Sequence, residues 1–246
     1  MKIILLGAKG IMGGNVINAV NNAGYEISAY VDVKCDPSCP KEYTKISDVK
    51  EKSDVIIDFS FHGVVGEILD YSVATSTPVI IATTGHTEEE KSLIYDASKK
   101  TAVFYSGNMS VGIATLCDVV KRVVSVFPDA DVEIIETHHT RKLDAPSGTA
   151  KMLVSAVNEV RKDSYANYGR NGLCKREKNE VGVSSIRIGN IVGIHEVRIG
   201  TASEQITLKH EAYDRALFAD GAIKAAEYMV GKSAGLYTMT ELLKNH

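Results

Sequence analysis

The segment K-I-I-L-L-G-A-K-G-I-M-G-G, at residues 2–14, decides the fold because an apolar run leads directly into a glycine-rich turn. A short apolar run that ends in glycine is typical of a strand buried on both faces. Residues 12–23 then have helical character, and Gly24 follows them as a helix breaker. The turn is therefore predicted to join a strand to a helix, which is the setting of a phosphate-binding glycine string. Its glycines, spaced G-x-x-G-x-x-G, are Gly7, Gly10 and Gly13.

Strands and helices are predicted to alternate through the rest of the first half of the chain. The apolar spacing of residues 64–75 predicts a helix. Thr87 is predicted to cap another helix, since three glutamates follow it and favour the positive end of a helix. Repeated βα units with short connections predict an α/β fold, a Rossmann-type doubly wound parallel sheet with right-handed crossovers. The other predicted strands are residues 26–33, 54–59, 78–82 and 102–105.

The second half of the chain changes character and predicts a separate α+β domain. Three β-rich stretches follow one another with only short turns, so we expect an open mixed or antiparallel sheet there. The polar, aperiodic residues 163–181 are expected to form a surface loop. The expected division is a dinucleotide-binding domain, 1–109 plus 216–246, interrupted by a second domain at 110–215. The elements expected in this half are helices 111–127, 147–161 and 215–230, and strands 132–135, 183–188, 191–199 and 205–210.

Composition excludes several classes of protein. The 246 residues are 44% hydrophobic, as in a packed globular protein, and 28 Lys and Arg against 31 Asp and Glu argue against a nucleic-acid binder. No apolar run is long enough to span a membrane, and no signal-peptide core is recognisable, so a cytoplasmic location is expected. Cys35 and Cys39 are expected to be incidental thiols, because no second ligand pair completes a metal site.

An acidic residue accompanies the glycine string. Asp32 ends the second predicted strand, where it is expected to hydrogen-bond the ribose hydroxyls of a bound dinucleotide. Its carboxylate repels a 2′-phosphate and therefore favours NADH. Lys9 and Lys34 attract such a phosphate, so NADPH and dual use remain alternatives. A glycine turn that serves only close helix–strand packing is the alternative to a cofactor site.

The ends of the later strands are expected to line the same crevice, because open α/β sheets bind ligands at the carboxyl ends of their strands. Small and hydroxyl side chains there suit a nicotinamide ribose and carboxamide. Phe59 and Phe61 are equally typical of a core, while His62 and His86 are more typical of plain loop positions. The candidate cofactor contacts beyond the three glycines and Asp32 are Lys9, Ile11, Met12, Phe59, Thr83, Thr84, Gly85, Ser106, Asn108 and Met109.

The densest chemistry is the segment E-T-H-H-T-R-K-L-D-A-P-S-G-T-A, at residues 136–150. It follows a predicted strand and is expected to be too polar for a core. Ser147 and Thr149 lie near the start of a predicted helix, whose free N–H groups favour an anion. With a nearby lysine this predicts a site for a carboxylate-bearing substrate, and one histidine is available for proton transfer. A helix cap beside a solvated charged turn is the alternative.

This segment resembles the signature of the dihydrodipicolinate reductases, also called 4-hydroxy-tetrahydrodipicolinate reductases, which reads E-x-H-H-x-x-K-x-D-A-P-S-G-T-A. Further blocks match that family in order along essentially the whole chain. They are the G-x-x-G-x-M-G of residues 7–13, the T-T-G of residues 83–85, the N-x-S-V-G of residues 108–112, the R-x-G-x-x-x-G-x-H of residues 187–195 and the segment 210–222.

The resemblance implies an NAD(P)H-dependent oxidoreductase. Such an enzyme reduces 4-hydroxy-tetrahydrodipicolinate to tetrahydrodipicolinate in the diaminopimelate route of lysine biosynthesis. It implies that His138 donates the proton and that Lys142 assists it. It further implies a small dicarboxylate substrate and a homotetramer formed through the sheet of the second domain. The carboxylates would be held by His139, Ser147, Gly148 and Thr149, together with Lys142.

Three departures from the family pattern leave the nucleotide preference open. Ala82 stands where the family usually has glycine, and Met109 stands where an aromatic residue is common. Residues 60–63 read S-F-H-G where the family tends to have T-x-P. Two other functions remain as alternatives. One is a different two-domain Rossmann oxidoreductase that acts on a small carboxylic acid, and the other is a non-enzymatic NAD-sensing module. The resemblance assigns no role to the segment 163–181.

Overall fold

The structure, a computed structural model, describes residues 1–244, which form two compact units. The first unit contains Met1–Val111 and the part of the chain from Arg215 on, and the second contains Gly112–Asp214. The last two residues of the expected segment 216–246 lie outside the described residues. Among the residues that are described, no helix is both long and apolar enough to cross a membrane.

The first unit is built on a parallel sheet of seven strands, numbered here in chain order through both units. The strand order is β12-β6-β5-β4-β1-β2-β3, with every neighbouring pair parallel, so the Rossmann prediction is confirmed. From β1 the chain adds β2 and β3 on one side of the sheet and then crosses to add β4, β5 and β6 on the other side. The carboxyl end of β1 is therefore a topological switch point. The strands are β1 (Lys2–Leu6), β2 (Glu26–Val31), β3 (Glu42–Tyr43), β4 (Val55–Asp58), β5 (Val79–Ile81), β6 (Ala102–Tyr105) and β12 (Gly235–Tyr237).

Helices cover this sheet and bury its central strands, as the apolar run at the start of the chain predicts. Residues 3–6 are all buried, and Gly24 follows the first helix with φ +70°. Thr87 caps its helix through a capping box with Glu90, which confirms the predicted cap. Two short strands, β3 and β12, escaped prediction because two or three residues carry no periodic signal. The helices are α1 (Ile11–Asn22), α2 (Val65–Thr75), α3 (Glu88–Ser98), α6 (Ala216–Met229) and α7 (Met239–Leu243).

The second unit contains a mixed sheet of five strands in the order β11-β10-β7-β9-β8. β7 runs parallel to β9, and β10 runs antiparallel to both β7 and β11, so the predicted mixed sheet is confirmed. Apolar residues of α4 and α5 pack on one face of this sheet. The elements are α4 (Val111–Val126), β7 (Asp131–His138), α5 (Gly148–Val160), β8 (Tyr165–Asn167), β9 (Glu180–Arg187), β10 (Gly193–Gly200) and β11 (Gln205–Ala212).

Two expectations about the second unit were wrong. The strand expected at residues 132–135 extends to His138, and its alternate side chains, from Val132 through Glu136, point into the core. The segment 163–181 is more than a loop, since it holds β8 and the start of β9. Polar residues can form strands here because ion pairs, rather than apolar side chains, hold the segment against the sheet. Arg176 pairs with Asp131 and Glu133 of β7.

Candidate active site

The glycine turn packs so closely that side chains are excluded from it. Gly7 has φ +73°, and a Cβ there would lie 2.3 Å from the carbonyl oxygen of Phe59. A Cβ on Gly13 would lie 2.3 Å from the carbonyl oxygen of Gly7. Gly10, the N-cap of α1, supplies no side chain to cap the helix, and its N–H donates to the Gly7 carbonyl at 3.0 Å. The turn therefore brings an uncapped helix N-terminus beside the end of β1, which favours a bound phosphate.

Asp32 follows β2 and is oriented by backbone hydrogen bonds. Its Oδ2 accepts from the Lys9 N–H at 3.1 Å, and its Oδ1 accepts from the Lys34 N–H at 3.0 Å. A cavity of about 410 Å³ adjoins this carboxylate, with Gly7, Gly10 and largely apolar side chains in its walls. A largely apolar cavity with an oriented carboxylate and two glycines of the turn in its wall fits the adenosine and pyrophosphate of a dinucleotide. The residues present thus fit the cofactor that the sequence implies.

The predicted contacts at the later strand ends differ in exposure. Thr84 and Gly85 are exposed, and Gly85 has φ +90°, whereas Thr83 is buried. The Ser106 hydroxyl donates to the Asn108 carbonyl at 2.7 Å, which fixes the turn after β6. Met109 is buried with a side chain 2% exposed. Of the remaining predicted contacts, Ile11 is exposed while Met12 and Phe59 are half-buried.

His62 and His86 have separate surroundings at these strand ends. The Nδ1 of His62 lies 2.9 Å from both oxygens of Glu90, the residue that completes the cap of α3, so this imidazole supports a loop. His86 is buried, and neither of its ring nitrogens has a hydrogen-bond partner among the described residues. Burial lowers the pKa of His86 and raises that of the neighbouring Asp58. Sequence patterns did not reveal this buried pair.

Glu136 is the centre of the second unit's cluster, and sequence reasoning gave it no role. Its side chain is fully buried, and its two oxygens accept from Arg187 Nη1 at 2.9 Å and Nη2 at 2.8 Å. The Ser147 N–H donates to the same carboxylate at 3.2 Å, and His138 Nδ1 also contacts it. Burial alone would raise the pKa of Glu136, but hydrogen bonds from Arg187, Ser185 and His138 lower it to about 2. The carboxylate is therefore ionised.

His138 lies at the end of β7 with only 7% of its surface exposed. Burial lowers its pKa, and the Glu136 carboxylate offsets that effect only in part. A Cβ on Gly193 would lie 3.1 Å from His138 Nε2, so glycine at this position leaves room for that edge of the ring. Because Nδ1 contacts Glu136, proton transfer falls to Nε2. The expectation that this segment is too polar for a core was wrong for Glu136 and His138.

Ser147 and His195 extend the buried network. The Ser147 hydroxyl accepts from the Ala150 N–H at 3.1 Å and caps α5, and it lies 3.0 Å from His195 Nε2. The His195 and His138 rings meet edge to face with centroids 5.1 Å apart. Burial lowers the pKa of His195 to about 4, and the proximity of His138 contributes. The histidine of the R-x-G-x-x-x-G-x-H block thus joins the cluster, and the arginine of that block is Arg187.

The expected carboxylate-binding residues surround the start of α5. Gly148 is exposed as the first residue of the helix, and Thr149 follows it half-buried. Lys142 Nζ lies 2.8 Å from Asp144 Oδ1, which lowers the pKa of Asp144. The His139 N–H donates to the Ile191 carbonyl at 2.8 Å, so the loop is anchored to the turn before β10. A helix N-terminus, a lysine and two histidines therefore occur together within the second unit.

Comparisons with known proteins agree with this geometry. The family models described as dihydrodipicolinate reductase, N-terminus, and dihydrodipicolinate reductase, C-terminus, match residues 1–109 and 112–243. The chain is 43% identical to the 4-hydroxy-tetrahydrodipicolinate reductase of Clostridium novyi over 99% of this chain and 98% of that one. It is 41% identical to the reductase of that name from Caldanaerobacter subterraneus, with the same coverage of both chains.

Solved structures agree on the fold. A dipicolinate-bound dihydrodipicolinate reductase from Paenisporosarcina superposes with a TM-score of 0.83, 23% identity and 97% coverage of both chains. The fold is shared more distantly by an aspartate dehydrogenase from Thermotoga maritima, with a TM-score of 0.53, 14% identity, and coverage of 94% of this chain and 97% of that one. The family models and the full-length identities decide the assignment: this chain belongs to the dihydrodipicolinate reductase family.

Proposed function

We propose that this chain reduces 4-hydroxy-tetrahydrodipicolinate to tetrahydrodipicolinate with NAD(P)H, in the diaminopimelate route of lysine biosynthesis. The observation that carries the proposal is the buried Glu136–His138 pair beside the capped start of α5. This arrangement offers a proton donor next to an anion site, which is what reduction of a carboxylate-bearing ring requires. The names of the full-length relatives support the same reaction.

The first unit holds the cofactor in this proposal. The turn formed by Gly7, Gly10 and Gly13 binds the pyrophosphate, and Asp32 accepts hydrogen bonds from the hydroxyls of the adenosine ribose. When bound, NAD(P)H supplies a hydride. NADH is the preferred cofactor of the proposal, with NADPH as the alternative, because Asp32 presents a carboxylate to the ribose. The strand-end residues named above, among them Thr84, complete the nicotinamide side.

The second unit holds the dicarboxylate substrate. The N-terminus of α5, with Ser147, Gly148 and Thr149, binds one carboxylate together with His139 and Lys142. Lys142 then exchanges its 2.8 Å contact with Asp144 for a contact with the substrate. The Paenisporosarcina relative holds dipicolinate, a dicarboxylate, which supports a substrate of this charge for the present chain.

His138 supplies the proton from Nε2. Glu136 accepts a hydrogen bond from Nδ1 and stabilises the imidazolium, while Arg187 keeps the carboxylate ionised. The product lacks the 4-hydroxyl group of the substrate, so one hydride and one proton enter and one water leaves. A lowered pKa makes His138 a stronger acid, and it also predicts that turnover decreases as the pH rises above that pKa.

Assembly and location complete the proposal, which is a homotetramer in the cytoplasm. The face of the second sheet opposite α5 supports association, since it carries Ile135, Ile186 and Ile194 with Ile186 exposed. Sedimentation velocity is expected to give a mass four times 26.6 kDa. A monomer at micromolar concentration would contradict the tetramer without affecting the reaction.

The reaction is tested by an assay that generates the unstable substrate in place from pyruvate and aspartate semialdehyde. We expect NADH to be oxidised only when the substrate-forming enzyme and both of its substrates are present, and we expect NADPH to react more slowly. Dinucleotide binding without any turnover would favour the NAD-sensing alternative. Oxidation that depends instead on a different small carboxylic acid would favour another two-domain oxidoreductase.

A further inference from the structure

Glu42 holds the ammonium group of Lys9 beside the ribose-binding carboxylate. Lys9 Nζ lies 2.6 Å from Glu42 Oε1, and the other Glu42 oxygen accepts from the Asp36 N–H at 2.9 Å. Glu42 belongs to β3, which pairs with β2 through Tyr30. Its carboxylate is therefore fixed by a strand and by a backbone hydrogen bond.

The same lysine contacts both acids. The Lys9 N–H donates to Asp32 at 3.1 Å while its ammonium group contacts Glu42, so one residue links the two carboxylates. The hydrogen bond with Glu42 raises the pKa of Lys9 and, together with the Asp36 N–H, lowers the pKa of Glu42. Both groups are charged at neutral pH. Of the two lysines beside Asp32, Lys9 is therefore already engaged by an acid.

We propose that Glu42 sets the preference for NADH over NADPH at the cradle, the site formed by the glycine turn and Asp32. A 2′-phosphate brings nearly two further negative charges to a place that already holds Asp32 and Glu42, and it must compete with Glu42 for Lys9. A ribose hydroxyl needs only the Asp32 carboxylate and leaves the Lys9–Glu42 pair intact. The inference rests on the proposed role of the cradle as a dinucleotide site.

The chain offers a matched control in a second ion pair, which joins β2 to the residue before β3. Glu26, at the other end of β2, pairs with Lys41 at 2.7 Å, and the two side chains are largely exposed. Replacing Glu26 by glutamine changes the net charge by the same amount as replacing Glu42. The two variants therefore separate a local effect on Lys9 from a general change in the charge of the unit.

Dissociation constants of NADH and NADPH, measured by nucleotide fluorescence on the full chain, test the proposal. We expect Glu42→Gln to tighten NADPH binding about five-fold, as for one exposed charged contact, with little change for NADH. We expect Glu26→Gln to leave the ratio of the two constants unchanged. Adding Lys9→Met to Glu42→Gln is expected to abolish the gain, because the gain depends on the released ammonium group.

Three results would overturn the proposal. An unchanged ratio in Glu42→Gln, an equal shift in Glu26→Gln, or a gain that persists without Lys9 would each show that Glu42 does not act through Lys9. If neither nucleotide binds the wild-type chain, both this inference and the cofactor role fail. If both bind and no substrate is reduced, the proposed reaction fails while the ratio still tests Glu42.

Discussion

The candidate cofactor site in the first unit is formed mainly by backbone, whereas the candidate active site in the second unit is centred on buried ionisable side chains. Gly7 and Gly13 have no space for a Cβ, and the carboxylate beside the turn belongs to the half-buried Asp32, which follows β2. Glu136 and His138 instead are buried on one face of β7, and the Arg187 guanidinium balances the negative charge of Glu136. The cradle should therefore be sensitive to added volume, and the cluster should be sensitive to lost charge.

Removing the central charge of the cluster is expected to have the largest effect. Glu136→Gln leaves the Arg187 guanidinium without its carboxylate, and we expect the free energy of unfolding to decrease by about 4 kcal/mol. Glu159→Gln is the matched control, because Glu159 forms an exposed pair with Lys121 and should cost at most about 1 kcal/mol. Urea denaturation measures both. Equal losses in the two variants would refute the special role of the buried carboxylate.

Low pH is expected to decrease the free energy of unfolding through protonation of His195. Its pKa is about 4 in the folded protein against an ordinary 6.5, so the unfolded chain takes up the proton first. The stability that depends on neutral His195 is complete above pH 6.5 and is lost as the pH falls from 6.5 to 4, by ~3 kcal/mol.

His195→Asn should flatten this dependence, as measured by urea denaturation between pH 7 and 4. The Glu136 carboxylate, with a pKa of about 2, loses its own contribution mainly below this range. Identical pH dependence in the wild type and the variant would contradict the assignment.

Added volume in the glycine turn is the corresponding test of the first unit. A Cβ from Gly13→Ala would lie 2.3 Å from the Gly7 carbonyl oxygen and 2.5 Å from that of Ala8, both of them backbone atoms. We expect a loss of about 2 kcal/mol in stability and a marked loss of NADH affinity. Gly14→Ala is the control, since nothing lies within 4 Å of the new Cβ, and a small gain in helix stability is expected. Thermal unfolding with nucleotide titration distinguishes the two.

Removing a helix cap is expected to have the smallest effect on stability, and this effect should be the same in the two units. Thr87→Ala and Ser147→Ala each remove a side chain that accepts a first-turn N–H, at a cost of about 1 kcal/mol. Only Ser147→Ala is expected also to raise the KM of the substrate, because the start of α5 is the proposed carboxylate site. A raised KM in Thr87→Ala would remove this distinction.

The contrast between the two sites also explains why the glycine turn was predicted from the sequence and the cluster around Glu136 was not. The glycine string and the Thr87 cap are recognisable from spacing within a few residues, so both were predicted from the sequence, although the close approach of Gly7 to the Phe59 carbonyl was not. Arg187 and His195 reach Glu136 and Ser147 only through the register of β7, β9 and β10. Such long-range pairing leaves little local signal. Burial alternates along β7 through His138, but the alternation of apolar and charged residues in the sequence breaks at Ile135, so Glu136 does not read as a buried residue.

The central claim is that chemistry depends on the buried imidazole of the second unit while nucleotide binding depends on the first. His138→Gln tests it most directly, with turnover in the assay that forms substrate in place and NADH affinity by fluorescence measured on the same preparation. We predict that kcat decreases by at least about 100-fold, as expected when a general acid is lost, while the NADH dissociation constant is unchanged. Unchanged turnover, or loss of NADH affinity in parallel with turnover, would contradict it.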